Sequence, residues 1–306
     1  MLSNEFKEKL KTEDTELFFD EPMSLHTSFR IGGNADCFCE VMNIDALRKI
    51  ISLCKEEGVP FQMIGLGSNL LVSDEGVEGV VIKLDGDFDE VTLVSDATIR
   101  CGAGASLAKA CLFAKNNGLG GAEFAWGIPG SVGGAVYMNA GAYGGEIKDI
   151  AVVTRYLDEE GSICEIKGEE HCFSYRHSVF SDKNWIILEV DLALFPKNKN
   201  DIFYLMTDTM EKRKAKQPLN KPSAGSVFKR PEGYYAAALI EECGLKGTSV
   251  GGAQVSEKHS GFIINKGEAS ARDVLDLIKH IKKVVKEKAG VDLQCEIKFI
   301  GKKQQD

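Results

Sequence analysis

The chain has 306 residues, of which 43% are hydrophobic and 27% charged, and a formal net charge of −9; this is an ordinary soluble balance that argues against non-specific binding to nucleic acid. No run approaches the roughly 20 apolar residues that span a bilayer, and the first residues, Leu2-Ser3-Asn4-Glu5-Phe6, hold no apolar signal region, so no membrane insertion and a cytoplasmic location are expected. The nine cysteines (Cys37, Cys39, Cys54, Cys101, Cys111, Cys164, Cys172, Cys243 and Cys295) contain no C-x-x-C pair, which leaves zinc and iron–sulfur sites without support and free thiols expected.

Asp36 to Val41 predicts a strand, and Ile44 to Glu57 a helix with an apolar stripe of Leu47, Ile50, Ile51 and Cys54, ended by Gly58. Phe61 to Ile64 predicts a strand that runs through the turn Gly65-Leu66-Gly67-Ser68-Asn69 and continues as Leu70-Leu71-Val72. Strands are expected at Val80 to Leu84, Val91 to Val94 and Thr98 to Gly102. Ser106 is placed to cap a helix through Asn116, with Leu107, Ala110, Cys111 and Ala114 on one side.

After a glycine-rich stretch come strands at Ile150 to Leu157, Ile163 to Ile166 and Trp185 to Leu194. Pro196-Lys197-Asn198-Lys199-Asn200 reads as a domain boundary. Beyond it are a helix at Asp201 to Lys216 with a basic tail, a proline-bearing loop from Gln217 to Arg230, a helix at Tyr234 to Cys243 stopped by Gly244, and a strand at Gly261 to Asn265. Ser270 and Asp273 form a capping-box-like start for a helix with the stripe Val274, Leu275, Ile278, Ile281, Val284 and Val285, and Leu293 to Ile300 is the last strand. The fold class is α+β: a two-lobed N-terminal ligand domain (residues 1–75 and 76–197) followed by a smaller α/β domain (198–306).

Seven glycines fall among the nineteen residues from Gly127 to Gly145. A flexible linker would be polar, whereas this stretch interleaves glycine with Ile, Val, Tyr and Met. It reads as a buried loop whose backbone presses against a large flat ligand, or as a tight turn beside a packed strand. Two other turns resemble a dinucleotide fingerprint and fail it, because Leu70 and Leu107 stand where the third glycine belongs. No Walker A motif occurs, but the turn Gly65 to Asn69 can present amides to a pyrophosphate as a nest does.

Three further segments carry polar groups suited to catalysis. They are Tyr175-Arg176, the small-residue turn Ala224-Gly225-Ser226-Val227-Phe228-Lys229, and Glu296, which alternation places with Gln294 and Lys298 on one strand face. Taken singly, each also reads as a surface ion pair, a turn hydroxyl or a solvated acid.

Together with the segments Thr27-Ser28-Phe29-Arg30-Ile31-Gly32-Gly33, Gly65 to Leu71, Gly127 to Gly134 and Tyr175 to Phe180, these pieces stand in the order seen in one family. The chain resembles the UDP-N-acetylenolpyruvoylglucosamine reductases, flavoenzymes of peptidoglycan precursor synthesis, from about Thr27 to Gly301. The resemblance implies an FAD domain of the vanillyl-alcohol-oxidase type followed by a substrate-binding domain, non-covalent FAD, NADPH as hydride donor, a nucleotide-sugar substrate and a monomer or weak oligomer. It places catalytic roles on Ser226, Arg176 and Glu296. FAD contacts carry over to Arg30, Ile31, Gly32 and Gly33, to Gly65, Gly67, Ser68 and Asn69, and to Gly127, Ile128, Pro129, Gly130, Ser131, Gly133 and Gly134. Lys216, Lys229 and Arg230, together with the helix tail around Arg213 and Lys214, offer charge to the substrate's diphosphate, although a basic helix end is also favoured by the macrodipole alone. His259 is a candidate neighbour of flavin or substrate. The short path from Tyr175 to Pro196 fits a class without the substrate-covering Tyr loop, and Arg230 stands where the longer class often has Asn.

Two rival readings remain open on residues alone: an oxidase or dehydrogenase on the same FAD fold, and a non-enzymatic nucleotide-sugar binder.

Overall fold

The structure, a computed structural model, describes residues 2–302, so residues 303–306 of the expected last unit lie outside the described residues. After helix α1 (Asn4–Leu10), strands β1 (Thr15–Pro22) and β2 (Asn34–Val41) pair antiparallel. Helix α2 (Ile44–Glu56) is capped by the Asn43 side chain and buries the stripe its spacing predicts: Leu47, Ile50, Ile51 and Cys54. It leads to β3 (Phe61–Ile64). Strand β4 (Leu70–Val72) leaves the sheet, and β5 (Val77–Leu84) enters between β2 and β3, parallel to both, giving the order β1-β2-β5-β3.

Two expectations differ here. Leu70 to Val72 do not continue β3, because Gly67, at φ 63, turns the chain out of the sheet. The first sheet also extends to residue 84, beyond the 75/76 division read from the sequence.

The second sheet is antiparallel. It uses β6 (Val91–Ser95) and β7 (Thr98–Gly102), which are followed by α3 (Leu107–Asn116), capped by Ser106 Oγ on Lys109 N at 3.1 Å. After β8 (Leu119–Gly120) comes α4 (Val132–Tyr137). The glycine-rich stretch is therefore a loop only as far as Ser131. That residue's Oγ accepts from Gly134 N at 3.2 Å and starts a helix whose Val132, Ala135 and Val136 enter the core. A tight hairpin, β9 (Gly141–Ala142) and β10 (Gly145–Glu146), precedes β11 (Ala151–Leu157), β12 (Ile163–Lys167) and β13 (Ile186–Ala193). The sheet order is β12-β11-β13-β7-β6. One core runs through both sheets, joining Leu47 and Ile82 to Ile99, Val132 and Val190. Burial of such apolar side chains is the main driving force holding the two lobes together.

After β14 (Phe195–Pro196), the C-terminal part contains α5 (Lys199–Lys216), α6 (Ala236–Glu242), a three-stranded sheet of β15 (Ser249–Val250), β16 (Ala253–Val255) and β17 (Ile263–Asn265), helix α7 (Ala271–Ala289) and β18 (Lys298–Ile300). The capping box of Ser270 and Asp273 is present, and α7 buries Val274, Leu277, Ile278, Ile281 and Val285, with Leu275 and Val284 only partly covered.

This second core takes in Phe29, Ile31 and Leu71 from the N-terminal part. Two further ties cross the same junction. Strand β18 pairs in parallel with β4, and the Asp74 carboxylate accepts from Ala271 N and Arg272 N at 2.7 and 2.9 Å. The expected strand from Leu293 is shorter than its alternation suggests, because β4 supplies only three paired residues. Residues before β18 bond instead to the Ser226 turn: Glu296 N donates to Val227 O at 2.7 Å and Lys229 N to Gln294 O at 2.8 Å.

Candidate active site

Three turns converge beside the junction of the two cores. Ser28 N donates to Gly67 O at 3.3 Å, and a Cβ at Gly67 would overlap the His26 carbonyl oxygen. A Cβ at Gly65 would lie 2.5 Å from Ser131 Oγ, and one at Gly130 3.4 Å from Ser68 Oγ. Between them opens a cleft of about 680 Å³ whose lining includes Arg30, Gly65, Leu66 and Pro129, together with Leu219, Ser223 and Phe262 of the C-terminal part. The amide N–H groups of Gly67, Ser68 and Gly130 have no protein acceptor among the described residues. These amides belong to the turns whose Gly65, Leu66 and Pro129 line the cleft with the exposed Arg30; unpaired amides of this kind suit an anion, and the volume suits a large organic cofactor. The residues therefore fit the pyrophosphate of FAD.

Other expected cofactor contacts are used within the protein. Ile31 is buried in the second core. A Cβ at Gly32 would meet Val72, and one at Gly33 the Asp74 carbonyl. Gly133 is buried, its N–H donates to Ala103 O at 2.9 Å, and a Cβ there would lie 2.8 Å from Ala103 Cβ. Gly134 is exposed but its N–H is taken by Ser131. Gly127, at φ 78, packs against Met210 and Arg213, and Ile128 packs against the first core.

The catalytic candidates come together at the same junction. Arg176 Nε donates to Glu296 Oε1 at 2.7 Å, and a second guanidinium nitrogen donates to Gly141 O at 3.3 Å. Asn69, the last residue of the cleft turn, donates from Nδ2 to Glu296 O at 3.3 Å. Burial pushes the Glu296 carboxyl above its ordinary value, against the opposing pull of Arg176 and Lys229. Ser226 follows Gly225 (φ 76), bridges to Phe262 and precedes Val227, whose carbonyl receives the Glu296 N–H. One hydroxyl, one guanidinium and one carboxyl with a raised pKa thus stand on adjacent hydrogen-bonded segments. Such a set can bind a carboxylate and hold protons near it.

The basic residues divide. Lys229 lies close enough to Glu296 to oppose the effect of its burial. Arg230 N donates to Tyr175 OH at 3.2 Å, and its guanidinium lies 3.9 Å from the Tyr235 ring centroid. Lys216 is exposed at the end of α5 beside His259, which burial, with Lys246 and Lys216, holds below its ordinary value. Gly261 N donates to His259 Nδ1 at 3.2 Å and Val227 N to Gly261 O at 2.9 Å, which places that imidazole near the Ser226 turn. Arg213 is not part of a solvated basic tail. It is buried, with Nε donating to Trp126 O at 3.1 Å and a terminal nitrogen to Phe124 O at 3.4 Å. The signal for this is in the sequence, because Ile202, Met206, Thr209 and Arg213 lie on one helical face and all four are buried.

Residues 35–167 match the family model for an FAD binding domain. A solved berberine bridge enzyme variant shares the fold at 14% identity, with a TM-score of 0.50 over 63% of this chain and 44% of that one. Fold and site together define an FAD-dependent oxidoreductase on a two-lobed fold of the vanillyl-alcohol-oxidase type. Residues 217–300 match the model for the UDP-N-acetylenolpyruvoylglucosamine reductase C-terminal domain. The protein named UDP-N-acetylenolpyruvoylglucosamine reductase from Caldanaerobacter subterraneus subsp. tengcongensis is 49% identical over 99% of both chains. The crystal structure of the reductase of that name from Thermus caldophilus is 35% identical, with a TM-score of 0.80 over 94% of this chain and 98% of that one. The chain belongs to the UDP-N-acetylenolpyruvoylglucosamine reductase family. Among the described residues no helix is long and apolar enough to cross a membrane.

Proposed function

We propose that the chain uses NADPH to reduce the enolpyruvyl ether of UDP-N-acetylglucosamine enolpyruvate to UDP-N-acetylmuramate, a step of peptidoglycan precursor synthesis. The observation that carries this reading is the Arg176–Glu296 pair at 2.7 Å, tied through Asn69 to the Gly65–Asn69 turn at the cleft and through Val227 to the Ser226 turn. FAD held by the Arg30, Gly65–Asn69 and Pro129–Ser131 turns would supply the hydride chemistry that links NADPH to the methylene carbon of the substrate.

The chain's own residues handle charge and protons. Hydride addition to the methylene carbon leaves negative charge on the neighbouring carbon, spread into the substrate carboxylate. Arg176 binds that charge with its planar cation, preorganised by Glu296 and Gly141. Ser226 gives its hydroxyl proton to the carbon, completing saturation of the double bond. Glu296, whose burial favours the protonated form, polarises the enolate oxygen. Lys216, Lys229 and Arg230 bind the diphosphate of the nucleotide sugar, and Arg30, Gly65, Gly67, Ser68, Asn69, Pro129, Gly130 and Ser131 surround the cofactor. The protein works in the cytoplasm as a monomer or weak oligomer, with one cofactor lobe on the first sheet, which runs to Leu84, a second lobe from there to residue 197, and 198–306 as the substrate domain.

The test is an anaerobic titration of the purified flavoprotein. NADPH bleaches the visible flavin band, and UDP-N-acetylglucosamine enolpyruvate restores it. Restoration by oxygen but not by that ether would support an oxidase instead.

A further inference from the structure

Arg176 occupies a strained backbone position. It sits at φ 57 inside a two-residue turn in which Ser174 N donates to His177 O at 3.1 Å and His177 N to Ser174 O at 3.2 Å. A non-glycine residue stays in the left-handed region only where its surroundings enforce it. The enforcing groups come from the segment just after α4. Asn139 Nδ2 donates to Ser174 O at 2.9 Å, the buried Ser178 Oγ donates to Tyr137 O at 2.9 Å, and the Arg176 guanidinium reaches Gly141 O. Residues 137–141 thus grip the turn at both ends and hold the tip of the side chain.

Asn139 is the centre of this grip. It is fully buried and is itself left-handed at φ 43, which asparagine tolerates better than most residues. Its second amide hydrogen serves Glu146 Oε2 at 3.2 Å, and its Oδ1 accepts from Lys148 N at 3.0 Å. Two of these bonds need the amide's donor: a carboxylate could accept from Lys148 N but could not donate to Ser174 O or Glu146 Oε2, and an apolar group would leave that geometry unset. We infer that Asn139 is a positioning residue for Arg176, fixing through the Ser174 carbonyl where the guanidinium meets the substrate carboxylate.

This inference rests on the role proposed for Arg176, and the experiment separates the two. Both half-reactions are followed by stopped flow on flavin-loaded holoenzyme. Asn139→Gly removes the amide while permitting the left-handed backbone. The inference predicts unchanged flavin reduction by NADPH and reoxidation by substrate slowed roughly 10- to 100-fold, the scale expected for a misplaced catalytic group. In an Arg176→Ala background the same substitution should cost nothing further. Equal losses in both half-reactions, or an undiminished cost in that background, would overturn it. If Asn139→Gly does not retain flavin, Ser178→Ala, which releases the other end of the turn, decides by the same pattern. If Arg176→Ala itself leaves reoxidation intact, the reading of Arg176 fails and this one with it.

Discussion

Arg176 and Glu296 are 120 residues apart in sequence and form a hydrogen bond of 2.7 Å, with side-chain exposures of 19% and 12%. The pair bridges the cofactor-binding part and the C-terminal part, so it forms only when both cores are assembled. Its two members pull in opposite directions on the carboxyl: burial favours the protonated acid and Arg176 the ion, with burial the stronger.

That balance predicts a pH dependence of stability. The Glu296 carboxyl has an ordinary value of 4.5 and a higher one in the folded protein. Between these values the folded state holds more of the proton than the unfolded state, so this group's contribution declines as pH rises through the window. Glu296→Gln removes the decline while keeping an acceptor for Arg176. The melting temperature of the variant relative to wild type should therefore rise from pH 4.5 toward neutrality. A relative melting temperature that falls over that interval would mean that the ion pair dominates.

Gly67→Ala tests the cofactor cradle. The position needs φ 63, and a Cβ there would overlap the His26 carbonyl oxygen, a backbone atom that cannot rotate away. The left-handed strain alone is worth roughly 1–3 kcal/mol. The variant should melt lower and purify with less flavin per chain than wild type. Full flavin content with wild-type stability would show that the turn is not constrained in this way.

Asp74→Ala probes the seam between the two parts. Its carboxylate accepts the first two amides of α7, and loss of a helix cap costs roughly 0.5–2 kcal/mol. Urea unfolding should report a loss in that range while the visible flavin spectrum is unchanged. An unaltered midpoint would show that the Ser270 box caps the helix unaided.

Local chemistry was legible in the sequence. Ser106, Ser270 with Asp273, and the stripe of α2 sit where capping and periodicity place them. The convergence of the Arg30, Gly65 and Gly130 turns was legible through the resemblance, not through any turn on its own. The rest depended on partners distant in sequence. Leu70 to Val72 read as a continuation of β3 because nothing nearby announces that β18 will pair with them. Alternation from Leu293 suggested a full strand, but β4 offers three residues and the Ser226 turn takes the remaining bonds. The glycines mixed two uses: Gly67 and Gly130 leave amides open to a ligand, whereas Gly133 lets α4 approach Ala103, and composition does not distinguish them. Arg213 read as a tail charge because its spacing with Ile202 and Met206 was outweighed by its basic neighbours.

The most direct measurement of the central claim, that Ser226 delivers the proton while Arg176 holds the charge, is stopped-flow absorbance of Ser226→Ala in each half-reaction. Flavin reduction by NADPH should proceed at nearly the wild-type rate, and reoxidation by UDP-N-acetylglucosamine enolpyruvate should slow by roughly 100-fold or more. An equal loss in both half-reactions, or reoxidation at the wild-type rate, would contradict it.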